Sequence, residues 1–199
     1  MKENIFEPLD MKDTAFAVPE SEINRFTSMY THKGASVGDI QREFNDEIFP
    51  NDLILMDSYE DSPYLKMNKV EDGGSGLIST AEDYLKFGQM LNDRGSFEGK
   101  TILSENAFAM LSGSYMEDFG LLGIVSLGVG QAICMAKITN PAFSQYYQSE
   151  GSLFWGGAAS TIFWADPVDD LVLVHMTQVL GHPVDLRAEL DRLTYSSRN

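Results

Sequence analysis

The sequence predicts an α+β fold, with helices first, then an antiparallel meander, then a closing helix. Three observations carry that prediction. Apolar residues recur at helical spacing over 79–91, apolar runs of strand length separated by turn residues occupy 120–178, and a leucine stripe at 186, 190 and 193 ends the chain. At 199 residues, 43% of them hydrophobic and 22% charged, the chain can bury a sizeable core in one domain or one and a half.

Taken in order, the first 70 residues are polar and loop-rich, with short helices predicted over 19–29 and 38–47 and a charged, solvated loop over 57–72. Gly73-Gly74-Ser75-Gly76 then permits a tight loop. A helix follows. Ser79 is its predicted cap and Glu82 completes a capping box, while Tyr84, Phe87 and Leu91, flanked by Leu85 and Met90, form its apolar face. Turn residues over 92–99 close it, and a second helix is predicted from Ser104, with Phe108 and Leu111 facing the core. Three strands are predicted over 120–135, 153–165 and 171–178, the last two joined by the Asp166-Pro167-Val168-Asp169-Asp170 turn. LVLVHMT is apolar throughout, which predicts cover on both faces. The closing helix is predicted over 184–193.

Charge and composition exclude several functions. Fourteen basic residues against 30 acidic ones leave a net charge of −16, the wrong sign for a surface that neutralises nucleic-acid phosphates. No apolar run approaches the ~20 residues that span a bilayer. Cys134 is the single cysteine and is predicted to be a buried, inert thiol. His32, His175 and His182 lack metal-ligand spacing, and His175, in an apolar strand, reads as a hydrogen-bonded core residue; no metal is predicted. Neither glycine cluster suits a phosphate. Gly73–Gly76 is followed by Glu82 and Asp83 rather than by a lysine, and Gly128-Val129-Gly130 lacks a third glycine, so no nucleotide cofactor is predicted.

The stretch FWGGAASTIFWADPVDD sets a glycine pair among aromatics inside an apparent strand. Glycine weakens a strand unless a backbone or ligand must approach closely, so a phosphate cradle, an oxyanion-binding edge and a structural bulge are the candidate explanations. Trp155 reads as a core plug or as the wall of a site, and Tyr146 and Tyr147 as packing residues or as the lining of an entrance. Ser79, Ser152, Ser160 and Thr161 read as caps or strand hydrogen bonds.

Three stretches resemble the serine β-lactamase-like family, which includes class C β-lactamases, DD-peptidases and β-lactamase-fold esterases. They are ENIFEPLDMKDTAF at 3–16, GGSGLISTAEDYLKFGQML at 73–91 and FWGGAASTIFWADPVDDLVLVHMTQ at 154–178. The resemblance covers most of the chain apart from 31–69. It implies a serine of an SxxK motif that forms an acyl-enzyme, with the lysine and a tyrosine of a YxN motif moving protons. It further implies that Trp155-Gly156-Gly157 stands where many members carry KTG, contacting substrate along a strand edge, and that the Ala158 backbone N–H is a donor of the oxyanion hole. A small-molecule ester or amide is the implied substrate.

The departures are as informative. No Ser or Thr has Lys three residues later; Ser62 to Lys66 and Ser96 to Lys100 are each one residue too long, and no Tyr-x-Asn triplet exists. In the family both motifs precede the PL-M segment that here is Pro8-Leu9-Asp10-Met11, where Asp10 replaces the usual glycine. The expectation is therefore a carboxy-terminal portion of the fold. Residues 1–118 would end the helical lobe and 119–199 would supply the last strands and helix of the α/β lobe, without the amino-terminal half and inactive alone. The alternative expectation is a non-catalytic interaction module whose unpaired sheet edge binds another chain.

Overall fold

A computed structural model describes residues 1–32, 53–66, 70–116, 120–121, 124–125, 127–181 and 186–197, with backbone alone for 120–121 and 124–125. The predicted helix over 38–47 and His182 lie outside these residues. In chain order the elements are β1 (Met29–His32), β2 (Leu53–Asp57), α1 (Ala81–Asn92), β3 (Ser96–Phe97), β4 (Lys100–Thr101), α2 (Glu105–Ser112), β5 (Gly120–Leu121) and β6 (Ile124–Val125). They continue with β7 (Val129–Gln131), β8 (Ala136–Ile138), β9 (Leu153–Gly156), β10 (Ile162–Asp166), β11 (Leu171–His175), β12 (Val179–Leu180) and α3 (Leu186–Ser196).

The main sheet is antiparallel, in the order β11-β10-β9-β8-β7. Side chains alternate across it, as strand geometry requires. Phe163 and Ala165 of β10, with Val172 and Val174 of β11, face a cluster built from Phe6, Leu9 and Met11 and from Tyr84, Phe87, Met90 and Leu91 of α1. Ile162 and Trp164, with Leu171 and Leu173, face the opposite cluster under Leu186, Leu190 and Tyr195 of α3. The sheet is thus sandwiched between α1 and α3, which explains why LVLVH is apolar on both faces. A second sheet, in the order β12-β1-β2, pairs β1 parallel to β12 and antiparallel to β2.

Several predicted elements shift for identifiable reasons. The 19–29 helix is a single 3₁₀ segment, Glu20–Arg25, which buries no residue and returns to extended backbone at Phe26. The cap of α1 is Thr80 rather than Ser79: its hydroxyl accepts the Asp83 N–H at 3.2 Å. Ser79 instead pairs with the Thr14 hydroxyl. Asp83 is buried and binds Thr14 Oγ1 and the Asp13 N–H, tying the chain start to α1. The helix predicted from Ser104 is α2, and the Ser104 hydroxyl caps it.

The single strand expected over 120–135 is broken at Gly128, whose φ is +70° and whose Cβ position is filled by the Asn140 carbonyl. Cys134 is exposed at φ +60° in the turn between β7 and β8, not buried. The strand expected over 153–165 is two strands of a hairpin, because an apolar run on both sides of a turn hides the turn. In α3 the buried stripe runs through Leu186, Leu190 and Asp191, while Leu193 is 48% exposed. Asp10 sits at φ +55°, so the position does call for the left-handed backbone that glycine adopts freely. No helix among the described residues is long and apolar enough to cross a membrane.

Candidate active site

The glycine pair lies at the β9–β10 hairpin. Trp155 is half-buried and pairs with Phe163, and Gly156 pairs with Ile162. Beyond β9 the Gly157 N–H donates to Thr161 O at 2.9 Å, and the Ser160 N–H donates to Gly157 O at 3.0 Å. Residues 157–160 therefore form a β-turn, with Ser160 leaving it at φ +64°. Ala158, expected on a strand edge, is the first central residue of this turn and is exposed.

Two features leave backbone groups bare here. The strand β8 pairs with β9 only through Ala136↔Phe154 and Lys137↔Leu153, so among the described residues no strand covers the edge of β9 from Trp155 onward. In an antiparallel ladder alternate residues turn their N–H and C=O to opposite sides. Gly157 bonds toward β10, so Gly156 turns its peptide groups to the uncovered side. The second feature is the turn itself. Its closing bond draws the Gly157 carbonyl inward, and across a trans peptide the N–H points opposite to the C=O. The Ala158 N–H consequently points outward, and among the described residues no acceptor meets it.

The reason for the glycines differs in part from expectation. A substrate lying on the strand was the expected reason for small residues; the structure adds one from within the chain. A Cβ on Gly156 would overlap Arg187 Nη2, and one on Gly157 would meet Thr161 Oγ1 at 2.5 Å. The Arg187 guanidinium also sits over the Phe154 ring, 5.5 Å from its centroid.

The other end of β9 is held by acids. Asp166, at 0% exposure, accepts the Ser149, Val168 and Asp169 N–H groups and the Tyr195 hydroxyl. Burial pushes its carboxyl up, but these four donors outweigh burial and hold it below the ordinary aspartate range. Asp191, at 1% exposure, accepts the Tyr147 N–H at 2.7 Å and Gln148 Nε2 at 3.1 Å. Here burial dominates, the nearby Asp166 charge adds to it, and the carboxyl is raised. Burial and then Asp166 raise the Tyr195 phenol. Tyr146 packs edge-on against Phe154, as a packing residue would, whereas Tyr147 is exposed.

Neither serine with a lysine four residues on begins a helix of catalytic type. The buried Ser62 hydroxyl donates to Asp57 and caps the 3₁₀ turn Pro63–Leu65, and Ser96 lies in the two-residue strand β3. His175 closes β11, and its buried Nε2 meets no hydrogen-bond partner among the described residues, where a hydrogen-bonded core histidine was expected. The Gly73–Gly76 loop closes on the Asp72 carboxylate through the Gly74 N–H and the Ser75 hydroxyl. No group of three His, Cys, Asp or Glu among the described residues could hold a metal ion. Sequence reasoning passed over Arg187, Asp191 and Tyr195, which no motif marks; it read Asp166 only as a turn former and gave Thr177 no role of its own.

The Beta-lactamase family model matches residues 1–196. Among curated proteins the chain is 28% identical over 184 residues to Protein Rv1367c of Mycobacterium tuberculosis, a match that covers 88% of this chain and 42% of that protein. Among solved structures it is similar to EstCE1, a hydrolase with promiscuous acyltransferase activity, at TM-score 0.69 and 19% identity, covering 96% of this chain and 48% of that one. It is also similar to a mutant of simvastatin synthase (LovD) from Aspergillus terreus, at TM-score 0.70 and 17% identity, covering 98% of this chain and 48% of that one. At these identities the structural likenesses establish the fold, and the chain spans about half the length of the proteins it matches. With the family match running over nearly every residue, and the antiparallel sheet with its closing helix matching structures of the same fold, the chain belongs to the Beta-lactamase family.

Proposed function

We propose that this chain supplies the oxyanion-binding edge of a serine hydrolase that acts on small esters or amides through an acyl-enzyme. The nucleophilic serine, its lysine and the tyrosine lie outside these 199 residues, and the chain alone is inactive. The observation that carries this reading is the outward-turned N–H of Ala158, which meets no acceptor among the described residues, beside a strand edge that β8 does not cover. An N–H fixed before reaction stabilises negative charge as it develops on a carbonyl oxygen, which is where such a donor accelerates acyl transfer. The serine oxygen bonds to the carbonyl carbon, the leaving alcohol or amine departs with a proton, and water then releases the acyl group as an acid. Trp155 brings no charge to the place where a KTG lysine would pair with a substrate carboxylate, which favours esters over penicillins.

The test begins with the reading frame upstream of the Met1 codon, which should carry an in-frame SxxK and YxN. The longer protein should hydrolyse p-nitrophenyl butyrate. Ala158→Pro should lower its kcat by about 10²–10³, since proline removes the donor yet suits the first central position of the turn. Hydrolysis by the 199-residue chain alone, lost on Ser62→Ala or Ser96→Ala, would overturn the proposal.

A further inference from the structure

An exposed turn of small residues does not hold one N–H in a fixed direction by itself, and Ser160 adopts a left-handed φ that a non-glycine residue keeps only when its surroundings impose it. Among the described residues, 177–179 supply such surroundings. The Thr177 hydroxyl donates to Ala159 O at 2.6 Å, the Val179 N–H donates to the same oxygen at 3.3 Å, and the Ser160 hydroxyl donates to Val179 O at 2.9 Å. This segment is anchored in turn. The Tyr30 N–H donates to Gln178 O at 2.8 Å, and β12 pairs with β1 at Tyr30↔Val179 and Thr31↔Leu180.

We propose that Thr177 is the positioning residue that sets the direction of the Ala158 N–H, a role that rests on the reading of that N–H as the oxyanion donor. The chain of cause is short. Clamping the Ala159 carbonyl from outside fixes the rotation of the peptide between Ala159 and Ser160. That places the Ser160 N–H under the Gly157 carbonyl, and the Gly157 carbonyl fixes its own peptide partner, the Ala158 N–H. Of the three bonds to 177–179, the Thr177 hydroxyl makes the shortest. It can also be removed without orphaning its acceptor, because the Val179 N–H still meets Ala159 O.

Thr177→Val keeps the shape and deletes the hydroxyl; Thr177→Ser keeps the hydroxyl. In the 199-residue chain labelled with ¹⁵N-alanine, the Ala158 and Ala159 amide resonances should move in the valine variant and return to their places in the serine variant. In the longer, serine-bearing protein, Thr177→Val should lower kcat about tenfold with KM unchanged, and Thr177→Ser should restore it. Added to Ala158→Pro, Thr177→Val should cost nothing more, because a residue acting through one N–H has no effect once that N–H is gone. Alanine resonances that stay put in Thr177→Val, or a loss that persists undiminished in the Ala158→Pro background, would overturn the proposal. If Thr177→Val does not fold, Ser160→Ala, which removes the neighbouring latch to Val179 O, should move the same two resonances, and its failure to do so counts equally against it. If Ala158→Pro itself leaves kcat intact, the oxyanion reading falls, while the resonances still report on the clamp.

Discussion

The two ends of β9 are built on opposite plans. At its start, Leu153 and Phe154 are covered by β8, and the three residues Tyr147, Gln148 and Ser149 hang from the carboxylates of Asp166 and Asp191. At its finish, Gly156 and Ala158 present backbone groups that β8 does not reach. One end spends its polar groups on the fold and the other leaves them bare. A bare strand edge a few residues long is useful only if its position is fixed, and buried hydrogen bonds to ionised groups are strong enough to fix it.

The largest effect should come from breaking the closed end. Asp166→Ala removes the acceptor for three backbone N–H groups and for the Tyr195 hydroxyl, all around a fully buried position. Unsatisfied buried donors cost about 1–3 kcal/mol each, so a loss on the order of 3–5 kcal/mol is expected even after partial rescue by water. Urea unfolding checks this. A loss below about 1 kcal/mol would show that the acid is not what holds that end.

The open end should respond less, and through a different mechanism. Gly156→Ala places a methyl group against Arg187 and close to Thr161 O, an overpacking that should cost about 1–3 kcal/mol. Combined with Arg187→Ala, much of that cost should vanish, because the guanidinium is the nearer obstacle. Thermal unfolding of the two single variants and the double variant measures the coupling; simple additivity would mean that Arg187 is not why residue 156 is glycine.

How much of this could be read beforehand depends on the kind of residue. The helix start at Ser104, the α1 stripe of Tyr84, Phe87 and Leu91, and the strand from 171 covered on both faces follow from local sequence pattern, and the structure matches them. The hairpin turn at 157–160 was hidden because Leu153 to Trp155 and Ile162 to Ala165 are apolar on both sides of it, so no change of period marks the break. Trp155, Gly156 and Gly157 were conspicuous through composition. Arg187 and Thr177, which meet the Gly156 position and the Ala159 carbonyl, are ordinary residues brought there from 31 and 18 positions along the chain. Asp191 was least legible of all, since a charged residue between Leu190 and Arg192 on a helix reads as solvent-facing.

That overlooked acid gives the smallest and most specific effect. Burial raises the Asp191 carboxyl above its unfolded value of 3.8, so the folded chain binds a proton more readily than the unfolded one between those two pKa values. Asp191 therefore adds to stability as pH falls through its folded pKa toward 3.8, and withdraws that contribution as pH rises. Its neighbours do not confuse the window: Asp166 is held below 3.8 and stays ionised, and the Tyr195 phenol is raised and stays protonated. Asp191→Asn imitates the protonated form. Its carbonyl still accepts the Tyr147 N–H, and its amide can donate to Gln148 Oε1, which is buried and meets no donor among the described residues, once the Gln148 amide turns over. The variant should be more stable than the parent at neutral pH, with the advantage shrinking steadily as pH is lowered toward 3.8. Urea midpoints of both proteins across that range measure it, and an advantage that grows on acidification would mean that Asp191 is held in its ionised form like Asp166. The two buried acids of the closed end would then be alike, each held ionised by the donors around it.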